Sequence, residues 1–294
     1  MSLRSLTCSV ILFLAVSLVI SCKRSDSDLV PAFISVNSYS LQTDLETQGS
    51  NSSGITEFWC YTDGDILGVV DTPVSLPLLK QGRQTINVFP GIKNNGMGVS
   101  RIRYPFYASF DTTIDVVSGQ TFALKPRFRY LDNAVIDVTR DFNQSGDFPD
   151  ESANYGGTFD RILRPATQPL VQNDSYGRFT LLSNSSLFNY TDAEAFSITS
   201  GSVAFLEMDY SCNNTFSVGV YVNQGGPPTK VPVLYLTPTS TSSEGSPSWN
   251  KIYMDLGMIA KQYPNATSYN LFIECSSNEA SVPVIYLDDI KIVK

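Results

Sequence analysis

The chain has 294 residues, a formal net charge of −8 from 20 basic and 28 acidic side chains, and no histidine. An acidic surface repels nucleic acid, and the lack of histidine excludes Ser-His-Asp and Cys-His catalysis and histidine-containing zinc sites. The length suits two domains, and a composition rich in Tyr and Phe without apolar stripes at helical spacing predicts an all-β protein.

Residues 1–21 have the features of a secretory signal, with Arg4 before an apolar run over 10–20 that is too short to span a bilayer. The end of this run, Val19-Ile20-Ser21-Cys22, resembles the bacterial lipobox, in which cleavage leaves an acylated cysteine as the first residue. The resemblance implies a signal peptide over 1–21, a lipid on Cys22 and a polar tether over 22–31. We expect an anchored protein of the bacterial cell envelope, in the outer membrane, that meets the membrane only through its lipid.

Residues 32–130 are predicted to form a small β-sandwich. Short β-prone runs alternate with turns, and Asp63-Gly64 between two such runs indicates a hairpin. The runs are 33–36, 55–62, 66–70, 74–79, 84–92, 112–117 and 121–129. Their turn pattern resembles the PEGA-type and carboxypeptidase-regulatory-like modules of bacterial surface proteins, which implies a spacer or scaffold.

The segment 101–107 contains two arginines and three aromatic residues. Arginine forks and aromatic faces bind anions or sugar rings, so the segment could form a ligand surface. The alternative is a loop and an aromatic-rich edge strand, in which Pro105 blocks ladder pairing. The loop with an edge strand is the favoured interpretation.

Residues 131–155 are acidic and are predicted to link the two domains. Asp141 to Gly146 matches the opening of a calcium loop, with oxygen ligands at alternate positions. The match then fails, because Glu151 falls one position too early to close an EF-hand loop and no helix pattern flanks it.

Residues 156–294 are predicted to form a β-sandwich or jelly roll, because several strands alternate apolar with polar residues. The runs are 179–182, 203–210, 215–222, 231–236, 249–256, 268–274 and 284–293. Their order and the terminal Ile285-Tyr286-Leu287-Asp288-Asp289 resemble the galactose-binding-like jelly rolls, which include many carbohydrate-binding modules. The resemblance implies a calcium site in which Asp289 joins Asp160 or Glu151, and the alternative is that these carboxylates cap turns or face solvent.

Glu207 and Asp209 lie two apart on one strand and therefore point to the same side. Retaining glycosidases with jelly-roll folds use a similar strand with a third acidic residue, but Ser211 and Cys212 stand at that place here. The acid that protonates the leaving group is missing, so hydrolysis is disfavoured and a paired or solvent-facing polar strand is the alternative.

Trp249 and Tyr253 are the candidate ligand contacts, because a tryptophan at the head of a strand can stack on a sugar. Packing in the core or at its rim is the alternative for Trp249, and also for Trp59. The loops 223–230 and 237–248 would supply the polar groups that read sugar hydroxyls.

Three cysteines remain after Cys8 leaves with the signal and Cys22 is lipidated. Cys212 and Cys275 each end a predicted strand and could form a disulfide, since the envelope permits oxidation. Cys60 would then stay a buried free thiol.

These observations predict a monomeric, non-enzymatic lipoprotein that binds glycan, with polysaccharide and the membrane as partners and no cofactor except a structural calcium ion. The alternative is a structural or adhesive lipoprotein that contacts other proteins. A glycoside hydrolase is the least favoured function.

Overall fold

The computed structural model describes residues 30–143, 156–164, 175–182, 185–239, 247–277 and 282–294. The predicted signal peptide, Cys22 and residues 144–155 of the acidic linker, which include Glu151, lie outside these residues. Within them, no helix is long and apolar enough to cross a membrane.

Over the described residues 30–130, the N-terminal part contains one short helix, α1 (Leu45–Gln48), and ten strands. The strands are β1 (Ala32–Val36), β2 (Ser40–Gln42), β3 (Glu57–Thr62), β4 (Asp65–Asp71), β5 (Val74–Leu78), β6 (Gly82–Lys93), β7 (Arg101–Arg103), β8 (Phe110–Val116), β9 (Thr121–Leu124) and β10 (Arg127–Arg129).

Two main sheets enclose the core of this N-terminal sandwich. One has the order β5-β1-β9, and the other has the order β4-β3-β6-β7 with β8 also paired to β6. Burial alternates along β1 and β5, so that every second side chain enters the core. Asp63 and Gly64 both have positive φ angles, as a tight β3–β4 turn requires. The predicted hairpin is therefore confirmed.

Where the structure describes it, the C-terminal part contains ten more strands and the helix α2 (Gly257–Gln262). The strands are β11 (Ile136–Arg140), β12 (Gly157–Leu163), β13 (Ser175–Leu181), β14 (Leu187–Phe196), β15 (Phe205–Cys212), β16 (Phe216–Asn223), β17 (Thr229–Leu236), β18 (Asn250–Asp255), β19 (Ser268–Ser276) and β20 (Val284–Val293).

Strands β13 to β20 form two antiparallel sheets with the orders β13-β20-β15-β18 and β14-β19-β16-β17. This is the strand arrangement of a jelly roll, so the predicted all-β fold, with a small sandwich before a jelly roll, is confirmed. β12 extends the first sheet beside β13, and β11 pairs with the C-terminal half of β20. The range assigned to the acidic linker, 131–155, thus contains a strand of the jelly-roll sheet.

The two jelly-roll sheets bury a common apolar core. Gly219 lies where β16 passes closest to its neighbours: an added Cβ would stand 2.3 Å from the Val231 carbonyl oxygen and 2.6 Å from the Phe272 ring. Backbone and a buried ring cannot both move aside, so a glycine is needed here for packing.

We expect Gly219→Ala to lower the free energy of unfolding by about 1–3 kcal/mol, the usual cost of overpacking a core. Gly226→Ala is the control, because a Cβ there meets no atom within 4 Å. Chemical denaturation of both variants measures the difference. Equal stability of the two variants would contradict the packing described for β16.

Candidate functional site

A β-bulge in β20 shapes the outer face of the first jelly-roll sheet. Glu207 pairs with Lys291 and Asp209 with Asp288, so two steps along β15 correspond to three along β20. Asp289 is the extra residue and has a positive φ of 51°. Because a bulge re-aims side chains, the consecutive residues Asp288 and Asp289 both enter polar networks on the outer side of the sheet.

Five charged side chains meet beneath the N-terminal sandwich: Glu207, Asp209, Lys251, Asp289 and Lys291, here called the buried charge cluster. Each is at most 8% exposed. The Lys251 ammonium nitrogen lies 3.2 Å from an Asp289 oxygen, 3.7 Å from Asp209 and 3.9 Å from Glu207. Lys291 lies 3.2 Å from the same Asp289 oxygen, which both ammonium groups therefore share.

The N-terminal sandwich completes this cluster. Ser50 donates to Asp289 from its backbone nitrogen at 3.1 Å and from its hydroxyl at 2.6 Å. Lys291 donates to the Ser50 carbonyl oxygen at 3.1 Å. The hydroxyls of Tyr104 and Tyr130 donate to the two oxygens of Glu207 at 2.6 and 2.8 Å. Groups from both parts of the chain thus satisfy the buried carboxylates.

Burial and neighbouring charges shift the pKa values of Asp209 and Asp289 in opposite directions. Burial raises the pKa of Asp209 to about 6, with Lys251 only partly offsetting it. Burial also opposes ionisation of Asp289, but Lys251, Lys291 and the Ser50 hydrogen bonds outweigh it and lower its pKa to about 2. Asp289 is therefore the fixed anion of the cluster, and Asp209 titrates in the mildly acidic range.

The structure places Glu207 and Asp209 on the same side of β15, as predicted, but in ion pairs under the N-terminal sandwich. Glu207 is completely buried, and Asp209 is 5% exposed. Hydrolysis of a glycosidic bond needs two carboxyl groups that flank the substrate. These two are covered, and they act as paired structural charges.

A cavity of about 380 Å³ lies at the rim of the contact between the two parts, next to the buried charge cluster. Its lining comes from the N-terminal sandwich and from β15 and β18 of the jelly roll: Ser53, Gly54, Thr56, Lys93, Gly96, Tyr210, Trp249, Asn250, Lys251, Ile252 and Tyr253.

Direct hydrogen bonds between the two parts hold one wall of the cavity in place. The backbone nitrogen of Asn95 donates to the Tyr253 carbonyl oxygen at 2.9 Å, and its side-chain oxygen accepts from the Asp255 nitrogen at 2.8 Å. The 93–96 turn is thereby fastened to β18.

Trp249 is half-buried in the cavity wall, and Tyr176 and Arg164 contact its ring. Its ring meets Tyr176 edge-on at 5.3 Å, and the Arg164 guanidinium lies 5.1 Å from the Trp249 ring and 5.2 Å from the Tyr176 ring. Arg164 in turn forms an ion pair with Asp288. The bulge in β20 thus places Asp288 where it pairs with Arg164, and Arg164 in turn packs against the Trp249 ring.

Two cavity-lining residues carry buried polar atoms without a hydrogen-bond partner in the described part of the chain. They are the Trp249 ring nitrogen, a donor, and the Thr56 hydroxyl. Buried polar groups are normally paired, so these two atoms are exceptions within the described part of the chain.

The structure corrects the expectation that Tyr253 stacks on a ligand. Tyr253 is 2% exposed, and its ring packs against Tyr104 at a centroid distance of 4.9 Å. Its hydroxyl is bonded to the Tyr107 hydroxyl at 3.2 Å and to the Gly54 nitrogen at 3.0 Å. Strand alternation does not show whether the Tyr253 side chain is exposed, and in the structure the N-terminal sandwich covers it.

Two of the three predicted calcium ligands, Asp289 and Asp160, pair with cations in the described part of the chain. Asp289 is held by two lysines, and Asp160 forms an ion pair with Arg178 at 2.9 Å. Glu151 lies outside the described residues. Among the residues described, no group of three or more Cys, Asp or Glu could hold a metal ion. The side-chain partners of the two aspartates are cations, which would repel calcium.

Cys212 and Cys275 are free buried thiols in the structure, which differs from the expected disulfide. Each thiol lies within hydrogen-bonding distance of a backbone carbonyl oxygen, Thr237 for Cys212 and Thr215 for Cys275. Burial raises the pKa of Cys212 to about 11, which disfavours its reactive thiolate. Cys60 is also a buried free thiol, as predicted.

The segment 101–107 contains an edge strand, as the favoured alternative predicts, and its two tyrosines do not form an exposed ligand surface. β7 lies on the edge of its sheet, while Tyr104 and Tyr107 are buried in the contact with the jelly roll. The roles of Ser50, Tyr104 and Tyr130 at Glu207 and Asp289 were not predicted. The run of aromatic residues over 104–107 was the one sequence signal near them.

No family model matches the chain, and no curated protein matches it. Solved structures do match. A carbohydrate-binding module of the β-sandwich superfamily has a TM-score of 0.40 and 11% identity over 91% of this chain and 99% of its own. A family 29 carbohydrate-binding module in complex with cellulohexaose has a TM-score of 0.34 and 10% identity, covering 55% of this chain and 93% of its own.

A Clostridium thermocellum xylanase fragment, in which a family 22 module is joined to a glycoside hydrolase module, also matches. It has a TM-score of 0.34 and 14% identity, and covers 48% of this chain and 25% of its own. All three TM-scores are below 0.5, so the function is argued from the site itself.

We expect pH to separate Asp209→Asn from the wild-type protein. Because the folded state holds the Asp209 proton up to about pH 6 and the unfolded state releases it near pH 4, wild-type stability falls between these values relative to the variant. The variant's unfolding free energy minus that of the wild type should therefore rise by on the order of 2–3 kcal/mol between about pH 4 and pH 7.

Denaturant unfolding at several pH values measures this difference. Asp115→Asn, at an exposed position on β8, is the control for the loss of a carboxylate outside the buried charge cluster. A difference between Asp209→Asn and wild type that is constant or falls with pH would contradict the raised pKa.

Proposed function

We propose that the protein is a lipid-anchored, non-catalytic glycan-binding protein of the bacterial cell envelope, and that the cavity beside Trp249 is its ligand site. The observation that carries the proposal is this cavity of about 380 Å³, which combines one fixed aromatic wall with the polar side chains of Ser53 and Asn250. Ligand sites are typically concave and mostly apolar, with a few placed polar groups.

The chemistry of the lining suits a neutral or weakly charged sugar. The Trp249 ring, half-buried in the cavity wall, offers an apolar face for a pyranose. The hydroxyl of Ser53 and the amide of Asn250 can bond sugar hydroxyls. Asn250 is exposed, so it is accessible to a ligand that enters from solvent.

A binding role rather than hydrolysis follows from where the carboxylates lie. Glu207 accepts from two tyrosine hydroxyls, and Asp209 lies under the N-terminal sandwich. Neither lines the cavity. Among the described residues, none that lines the cavity is acidic, so these residues would bind a sugar without the pair of acids that cleavage requires.

We expect Trp249→Ala to weaken binding of the preferred glycan at least about tenfold, since loss of the stacking face removes on the order of 1.4 kcal/mol. Calorimetric titration against a panel of soluble neutral polysaccharides and their oligomers measures the affinity. Tyr235→Ala is the matched control, because Tyr235 is a 70% exposed aromatic on β17 of the other sheet.

Unchanged affinity of Trp249→Ala for a glycan that the wild type binds would place the site elsewhere. If the wild type binds no glycan of the panel, the better function is a structural or adhesive lipoprotein that contacts other proteins. Thermal unfolding of each variant separates loss of binding from loss of fold.

The lipid anchor is tested independently at the residue that would carry it. We expect Cys22→Ala to move the protein from the membrane fraction to the soluble fraction, because several acyl chains give stable anchoring. Cys8→Ala, within the predicted signal peptide, should leave the protein in the membrane fraction. Cys22→Ala protein that stays with membranes after a high-salt wash would contradict acylation.

A further inference from the structure

The N-terminal sheet carries a second group of aromatic side chains, on the side away from its core. Trp59 and Tyr61 lie two apart on β3, and Phe89 of β6 pairs with Trp59 in register. The intervening residues Cys60 and Val88 are buried in the core, so the three rings share the outer side of the sheet. All three are half-buried.

Arg103 of β7 lies over these rings, and the four residues together are called the aromatic–arginine face. Its guanidinium carbon is 4.9 Å from the Phe89 ring centroid, 5.9 Å from Trp59 and 6.0 Å from Tyr61. The side chain is exposed. The distances are those of cation–π contacts, which hold the guanidinium close to the rings.

The charge of Arg103 is not neutralised by the described part of the chain. Its neighbour Arg101 forms ion pairs with Glu57 and Asp71, whereas no described carboxylate lies within salt-bridge distance of Arg103. In a chain with a net charge of −8, an exposed guanidinium that meets only rings has its hydrogen-bonding edge available to an anion.

The rings are held in place before any ligand arrives. The Trp59 ring nitrogen donates to Glu57 at 3.3 Å, and Glu57 is completely buried. Gly91 makes room for this carboxylate, since a Cβ there would stand 2.4 Å from the Glu57 side chain. Tyr61 and Phe89 pack edge to face at 5.5 Å. Such preorganisation lowers the entropy cost of binding.

We propose that the aromatic–arginine face binds an acidic glycan whose sugar rings carry carboxylates, with a carboxylate held by Arg103 and a sugar ring packed beside the guanidinium against the accessible part of the aromatic side chains. A planar guanidinium matches a carboxylate with two parallel hydrogen bonds, and aromatic faces supply apolar area for a sugar ring. The net negative charge of the protein opposes non-specific binding of polyanions. Binding of an acidic glycan therefore depends on the positive charge of Arg103.

The experiment titrates the full chain with oligomers of three uronate polymers: polygalacturonate, alginate and hyaluronate. Methyl-esterified oligogalacturonate is the matched neutral probe, because it keeps the sugar rings and removes the charges. We expect at least one of the three uronate oligomers to bind. If oligogalacturonate binds, its affinity should be at least tenfold higher than that of the methyl-esterified oligomer. The affinity should fall as salt concentration rises.

The variants Trp59→Ala and Arg103→Gln should each weaken uronate binding at least tenfold, and Arg103→Lys should retain part of it. Arg127→Gln is the matched control, because Arg127 is an exposed arginine on β10 outside this face. If Trp59→Ala fails to fold, Arg103→Gln still tests the proposal, since it removes only the exposed charge.

Fluorescence separates this face from the cavity beside Trp249, because the chain has only two tryptophans. In Trp249→Phe, Trp59 is the sole reporter and its emission should change on uronate binding. In Trp59→Phe, emission from Trp249 should not change. Binding of none of the three uronates, equal binding of the esterified probe, or unchanged affinity of Arg103→Gln would each overturn the proposal and leave the cavity proposal standing.

Discussion

The buried charge cluster is the constraint on which the rest of the structure depends. Three carboxylates and two ammonium groups lie out of water between the N-terminal sandwich and the jelly roll. A buried charge without partners costs several kcal/mol, and removing one member of such a pair costs about 3–5 kcal/mol. Ser50, Tyr104 and Tyr130 supply the remaining hydrogen bonds. The N-terminal sandwich is therefore positioned by polar complementarity as well as by apolar contact, and a shifted contact would leave carboxylates unpaired.

The β-bulge connects this constraint to the proposed ligand site. With a regular strand, Asp288 and Asp289 would point to opposite sides of the sheet, and one would enter the apolar core. The positive φ at Asp289 avoids this. Asp289 then serves the buried charge cluster while Asp288 holds Arg164, whose guanidinium lies against Trp249. One local backbone irregularity thus contributes both to the contact between the two parts and to the aromatic wall of the cavity.

Much of the fold could be predicted from sequence because strand alternation and turn residues are local signals. The Asp63-Gly64 hairpin and the jelly-roll strands follow from them. The contact between the two parts could not be predicted, because Glu207 reads as a polar strand residue whether it faces water or tyrosines 77 and 103 positions away. For the same reason, the sequence correctly predicted that Tyr253 lies on a strand but wrongly predicted that its side chain is accessible to a ligand. Strand β11 was assigned to the linker, since its five residues stand beside a long acidic segment that hides their pairing with β20.

The chemistry available to this chain follows from how it distributes charged and aromatic groups. Acidic side chains at the centre of the molecule are committed to ion pairs, as Glu207 and Asp289 are, and a carboxylate whose oxygens already accept hydrogen bonds from fixed donors has little capacity left to act on a substrate. The two tryptophans, Trp249 and Trp59, are partly accessible, and each is held by a neighbouring ionic or polar group. Rigid aromatic surfaces favour recognition, because little conformational entropy is lost when a ring-shaped ligand settles on them. Binding without turnover is the function that such a distribution supports.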